Sequence, residues 1–227
     1  PPRVQHPVLR LRLRVRGTAR AGPVYPLQAG GSAVHRQIPR PPRRRWLAAP
    51  LLLLSLPIAA QDFRRSTRQA LRPDLEALRW LGQRYIDTQV EGARAAVSAL
   101  QQAGRKVFIV SGGLKSPVVA LAAELGISTA NVRAVDVYLD ERGRYRDFER
   151  ASPLTRSDGK ARIAADLAAE FGPVALIGDG VTDVAARSGG AFVVGFGGVV
   201  RREAVVQGAD LFVEGPSLLD VAERLLA

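Results

Sequence analysis

Four consecutive apolar residues, Val174 to Ile177, run straight into Gly178-Asp179-Gly180-Val181-Thr182-Asp183. Continuous rather than alternating hydrophobicity marks a strand covered on both faces, as in a parallel sheet flanked by helices. The run stops at a glycine, and a carboxylate follows at the strand's C-terminal end. In open α/β sheets the crevice beyond such strand ends is where ligands sit. Asp179 and Asp183, four residues apart across a tight turn, suit a hard cation with oxygen ligands, Mg²⁺ above all. The same residues equally suit a turn and a helix cap, two ordinary uses of Asp. The motif alone leaves both readings open.

The flanking sequence repeats the strand-then-helix pattern. Lys106 to Val110 reads as a strand ending at Ser111-Gly112-Gly113, and Val132–Val137, Ala191–Phe196 and Leu211–Val213 read as further strands. A helical stretch from Pro73 to Gln102, broken near Gly92, precedes them. Other helices are punctuated by Ser116-Pro117 and Gly126, by Asp158 and Gly172-Pro173, and by Ser217 before Leu226, with a shorter one near Arg201 to Gln207. Tyr138 to Phe148 reads as a hairpin turning at Arg142-Gly143. The alternation predicts an α/β fold with a doubly wound, mostly parallel sheet.

Charge divides the chain sharply. Residues 1–74 hold 15 arginines against Asp62 and Asp74, whereas residues 75–227 hold 18 basic and 19 acidic side chains. The formal net charge of +12 therefore describes the N-terminal third and not the α/β part. Residues 1–62, rich in Pro, Arg, Gly and Ala, are expected to be irregular, because their composition supplies no patterned core. A basic arm for nucleic acid or acidic lipid is one reading of the arginines. No aromatic interleaving or binding module accompanies them, so neither a specific nucleic acid nor a membrane is expected as a partner. Trp46 to Ala60 mimics the apolar core of a signal peptide. It starts some forty residues in, carries Pro50 and Pro57, and is short for a membrane span. Cysteine is absent, which excludes disulfides and thiolate chemistry and fits a cytoplasmic protein. The sequence does not open on methionine, so it is not expected to be a complete initiated product. Its oligomeric state is not legible.

Three chemically useful places fall on one edge of the predicted sheet. Ser111-Gly112-Gly113 offers a hydroxyl and unhindered backbone N–H groups suited to phosphate oxygens, or else a plain glycine turn. Lys160, one of three lysines, lies in the first turn of a helix, where the macrodipole disfavours a cation. A bound anion would account for it, as would simple solvation. Asp179 and Asp183 supply the cation end.

Taken together, Val107-Phe-Ile-Val-Ser-Gly-Gly113, Ser157-Asp-Gly-Lys160 and Ile177-Gly-Asp-Gly-Val-Thr-Asp183 resemble the second, third and fourth motifs of the haloacid dehalogenase superfamily, whose core is Rossmann-like. Val194-Gly-Phe-Gly-Gly198 and Arg201-Arg-Glu-Ala-Val205 narrow the resemblance to its phosphoserine phosphatases, from about residue 70 to the C-terminus. The resemblance implies a Mg²⁺-dependent hydrolase that converts O-phospho-L-serine to L-serine and phosphate in L-serine biosynthesis. It implies that Ser111 binds the phosphoryl group, that Gly112, Gly113 and Thr182 contact substrate, and that Lys160 neutralises charge. Asp179 would ligate the metal and Asp183 would support it from behind. It divides the chain into a basic segment (1–62), a remnant of a helical cap with its linker helix (63–103) and a core (104–227). A non-catalytic phosphate-ligand or partner-binding relative, or a phosphatase for another small phosphomonoester, is the alternative.

The family's first motif, Asp-x-Asp, occurs nowhere in the chain; the aspartates before Ser111 are Asp62, Asp74 and Asp87. In the family the first of that pair attacks phosphorus and the second handles the leaving-group proton. Turnover is therefore expected to be impaired. The repeat Leu9-Arg-Leu-Arg-Leu-Arg14 bears on this loss. Phe-Asp-Phe-Asp-Ser, written TTC GAC TTC GAC TCC in a GC-rich gene, gives CGA CTT CGA CTC when read two bases on. That encodes Arg-Leu-Arg-Leu. Much of residues 1–65 is thus expected to be phosphatase sequence out of frame, with a basic arm as the alternative.

Overall fold

The structure, a computed structural model, describes residues 51–54, as backbone, and 72–227. All of them lie within the unit Arg40–Ala227. The stretch Val174–Gly178 is a strand, β6, and all five residues are buried, as its uninterrupted apolar run requires. Around it a sheet is ordered β3-β2-β1-β6-β7-β8. Its members are β1 (Leu51–Leu54), β2 (Lys106–Leu114), β3 (Val132–Val135), β6, β7 (Phe192–Phe196) and β8 (Leu211–Val213). Every pairing in it is parallel.

Strand period 2 sends alternate residues to opposite faces. Val107 and Ile109 of β2, Ala175 and Ile177 of β6 and Val194 and Phe196 of β7 join one core. Phe108, Val110, Val174, Leu176 and Val193 join the other. The first core is closed by helices α1 (Leu75–Asp87), α2 (Ala93–Gln102), α3 (Lys115–Glu124) and α7 (Leu218–Leu226), through residues such as Tyr85, Val97, Leu121 and Val221. The second is closed by α4 (Gly159–Phe171), through Ala164 and Leu167. Helices on both faces of a parallel sheet make the fold the doubly wound α/β arrangement expected. Because every pairing is parallel, all these strands' C-terminal ends lie on one edge.

The expected hairpin is β4 (Val137–Leu139) and β5 (Tyr145–Phe148), an antiparallel pair outside the main sheet. Its turn is held by Asp140, whose Oδ1 accepts from the N–H groups of Arg142 (3.0 Å) and Arg144 (2.9 Å). The break near Gly92 falls between α1 and α2. Gly172 ends α4 at φ 92°, a conformation open to glycine at little cost, and Pro173 prevents the helix from resuming.

Two local readings differ. β2 does not stop at Val110 but runs through Ser111-Gly112-Gly113 to Leu114, with its register against β3 slipping on the way. The following helix consequently starts at Lys115 with Leu114 at its cap position, and Ser116 and Pro117 lie inside its first turn.

The larger correction concerns residues 1–62, expected to be irregular. Leu51–Leu54 form β1, at the centre of the sheet, with Leu54 beside both Ile109 of β2 and Ile177 of β6. Four leucines in succession suit a strand paired in parallel on both edges, and the prolines and arginines around them obscured the signal. The rest of 1–62, including Asp62's neighbourhood and the Leu9–Arg14 repeat, lies outside the described residues.

Candidate active site

The topology fixes the site before any side chain is considered. β2 and β6 flank β1 in parallel, so the residues that follow their apolar runs emerge on the same edge. Those residues are Ser111-Gly112-Gly113 and Gly178-Asp179-Gly180.

At the first, Ser111 is buried, and its Oγ accepts the Gly113 N–H at 3.0 Å. That contact orients the hydroxyl and leaves its hydrogen to donate. Tyr85 of α1 lies under the same turn: a Cβ on Gly113 would sit 3.8 Å from its hydroxyl. Burial pushes the Tyr85 phenol up to about 12.

At the second, Gly180 caps a one-turn helix, α5 (Val181–Val184), and its N–H donates to Asp183 Oδ2 at 2.9 Å. Asp183 is fully buried, and its other oxygen, Oδ1, accepts from Lys160 Nζ. The Asp183 carboxylate lies so close to Gly178 that a Cβ there would run into it. The glycine that stops β6 is thus needed for close approach. Lys160, the second residue of α4, has a side chain only 7% exposed. This removes the reading of Lys160 as a solvated lysine. A cation in the first turn of a helix, taken out of water, is tolerable only beside negative charge, and Asp183 supplies it. Thr182 is half-buried on the same turn.

Asp179 is 4% exposed at its side chain, and a guanidinium faces it. Arg202 Nη1 donates to the Asp179 carbonyl oxygen at 2.7 Å and also to its carboxylate Oδ2. Arg202 occupies the cap position of α6 (Glu203–Gly208), just past the glycines that follow β7. Sequence reasoning gave Arg202 no role. The signal that singled out Lys160 would have found it, since it too is a cation at a helix N-terminus on the ligand edge.

Of the expected residues, Ser111 thus meets Gly113 and Lys160 meets Asp183, while Asp179 is met by Arg202, which was not among them. Asp179 has the right chemistry for a hard cation, being a carboxylate at the crevice. Among the described residues, however, no three His, Cys, Asp or Glu side chains gather closely enough to hold a metal ion. The two described aspartates upstream of Ser111 have other duties. Asp74 caps α1 through the Ala77 N–H at 2.8 Å, and Asp87 pairs with Gln83 (2.9 Å) and Arg84 (3.7 Å) at the helix's far end. Asp62 lies outside the described residues. No helix of the described residues is long and apolar enough to cross a membrane.

Comparison with known proteins bears on this arrangement. Phosphoserine phosphatases of Drosophila melanogaster and Rattus norvegicus are 33% and 36% identical to this chain over 156 and 124 residues. These matches take in 67% and 54% of the chain, but the chain spans only 58% and 55% of those relatives. Among solved structures, a phosphoserine phosphohydrolase-like protein from Francisella tularensis aligns at TM-score 0.62 and 22% identity. That alignment covers 74% of this chain and 77% of the other. A phospho-aspartyl intermediate analogue of phosphoserine phosphatase aligns at 0.59 and 19%, covering 78% of this chain and 98% of the other. Both likenesses concern the fold. A family model described as haloacid dehalogenase-like hydrolase matches residues 23–188. The match begins well before residue 70, where the sequence motifs placed the start of the likeness, and so takes in β1. With most of the chain inside that match and the sheet edge built as above, the chain belongs to the haloacid dehalogenase-like hydrolases.

Proposed function

We propose that this site is that of a cytoplasmic phosphoserine phosphatase, built to bind O-phospho-L-serine and act on its phosphate ester, with turnover impaired in this chain. The observation that carries the reading is the buried Lys160, held by Asp183 on the edge that also presents Ser111-Gly112-Gly113. In the proposed complex the Ser111 hydroxyl and the Gly112 and Gly113 N–H groups take phosphoryl oxygens, and the Lys160 ammonium supplies positive charge to the same group. Thr182 contacts the substrate from the other strand end. Phosphoryl transfer leaves little covalent work to the protein beyond positioning and charge neutralisation, which suits this set. The relatives' names support the choice of substrate.

Mg²⁺ would be held through Asp179, with Asp183 supporting it only indirectly because both its oxygens are engaged. When bound, the ion would draw charge from the phosphoryl oxygens. One carboxylate plus phosphate and water is within the range of Mg²⁺ sites but at its weak end.

Hydrolysis also needs an attacking carboxylate. Monoester hydrolysis is so slow unaided that enhancements reach about 10²¹-fold, and positioning alone cannot supply them. The missing Asp-x-Asp favours a second reading in which this chain binds phosphoserine without turning it over.

Phosphoserine binding followed by calorimetry, with phosphate release measured in parallel at saturating Mg²⁺, tests both. Binding that Lys160→Met removes, with no release above background, is the expected result. Release abolished by Lys160→Met would establish the phosphatase and place its nucleophile outside the described residues. Failure to bind phosphoserine at millimolar concentration would overturn both readings.

A further inference from the structure

A buried phenol reaches the turn that carries Ser111. Tyr85 packs its ring into the core and is only 5% exposed. A hydroxyl taken out of water normally finds a hydrogen-bond partner. Among the described residues none shares a hydrogen bond with that of Tyr85. Helix packing places it there. Gly82 lies three residues earlier, on the same face of α1. A Cβ at Gly82 would lie 3.1 Å from the Ala120 Cβ and 3.5 Å from the Pro117 Cα, so α1 lies close against α3. α3 in turn starts at Lys115, directly after Leu114 and the Ser111-Gly112-Gly113 turn.

The two hydroxyls border one small space. A Cβ on Gly113 would lie 3.1 Å from Ser111 Oγ, 3.8 Å from the Tyr85 hydroxyl and 4.0 Å from Val118 Cγ2. Glycine at 113 keeps that space clear, and any side chain there would come between the hydroxyls. Ser111 Oγ has two lone pairs. One accepts the Gly113 N–H at 3.0 Å, and the other can take a second donor. Burial pushes the Tyr85 phenol up to about 12, so at neutral pH it keeps the proton it would donate.

We propose that Tyr85 is a positioning residue for Ser111, its hydroxyl donating towards Ser111 Oγ across that space, a link that one water can carry. With both lone pairs of Oγ engaged, the Ser111 hydrogen is left to point into the crevice and meet an anionic oxygen. Tyr85 does not touch the anion; it removes competing orientations of the hydroxyl that does. The inference rests on Ser111 binding the phosphoryl group.

Inorganic phosphate is the probe, with affinity measured by calorimetry so that no turnover is needed. The unaltered chain is compared with Tyr85→Phe, Ser111→Ala and the double variant, each checked for folding by thermal melting. Tyr85→Phe keeps the packed ring and loses only a hydroxyl without a described partner, so the fold should be kept. It should weaken phosphate about fivefold, the scale of one hydrogen bond. In the Ser111→Ala background the same change should have no effect, because the group it acts through is gone. A purely structural Tyr85 would shift the melt and leave phosphate affinity unchanged. That result, with Ser111→Ala still weakening binding, would overturn the positioning role and leave the phosphatase reading standing. Equal weakening in both backgrounds would also overturn it, since Tyr85 would then act without Ser111. If Ser111→Ala removes measurable binding altogether, Tyr85→Phe decides alone: weakening supports the role and unchanged affinity overturns it. An unaltered chain that binds no phosphate would overturn both this inference and the reading it rests on.

Discussion

Replacing Lys160 by methionine should strip the site of its buried cation while nearly keeping its volume, which makes it the most informative single perturbation. Asp183 is fully buried and Lys160 nearly so, so solvent screens their interaction little. Removing one member of such a pair leaves an uncompensated buried charge and typically costs about 3–5 kcal/mol. In Lys160→Met the Asp183 carboxylate keeps the Gly180 N–H at 2.9 Å, which tempers the loss towards the lower figure. With a urea dependence of about 2 kcal/mol per molar, the unfolding midpoint should fall by about 1.5–2 M. Asp183→Asn alone should also destabilise, because Lys160 is then left buried without that carboxylate. The double variant Lys160→Met/Asp183→Asn should be more stable than the sum of the single losses implies, with a coupling of about 2 kcal/mol or more. Urea titrations of the four proteins close the cycle. The same titrations with phosphate separate structure from recognition. At a hundredfold excess over its dissociation constant, phosphate should add about 2.7 kcal/mol to the unaltered chain and nothing to Lys160→Met. A loss below about 1 kcal/mol in Lys160→Met, or an additive cycle, would refute the pair as a buried, coupled element.

Two further expectations concern other parts of the chain. The Tyr85 phenol, held near 12 by burial, ionises in the unfolded chain near its ordinary value of 10. Between those pH values the folded form binds the extra proton, so stability is complete below about pH 10 and falls as pH rises towards about 12, by about 2–3 kcal/mol. Tyr85→Phe should flatten that alkaline limb in urea titrations, and an unchanged limb would exclude Tyr85 as its source. Upstream, reading the gene in all three frames should reveal Asp-x-Asp opposite codons 9–14, and the restored protein should release phosphate from phosphoserine with Mg²⁺. If neither alternate frame encodes the pair, the out-of-frame origin of residues 1–65 is refuted.

The sequence alone determined the sheet's parallel, two-sided character, because the continuous apolar strands of β2, β6 and β7 leave no solvent face. Glycine and proline punctuation likewise gave the break at Gly92 and the stop at Gly172-Pro173, where local backbone chemistry decides the outcome. The shared edge of the C-terminal strand ends, and with it the placing of Ser111 and Asp179, follows from strands that all run parallel. Only the tertiary structure decided how the charges are distributed. That Lys160 is buried against Asp183, 23 positions away, and that Arg202 lies on Asp179, also 23 away, depends on which helices cross which strand ends. Local sequence does not encode such distances. β1 escaped for a related reason: its four leucines lie inside the longer apolar stretch Trp46 to Ala60, which equally fits a signal-peptide core, and β2 and β6 on either side are what make them a strand.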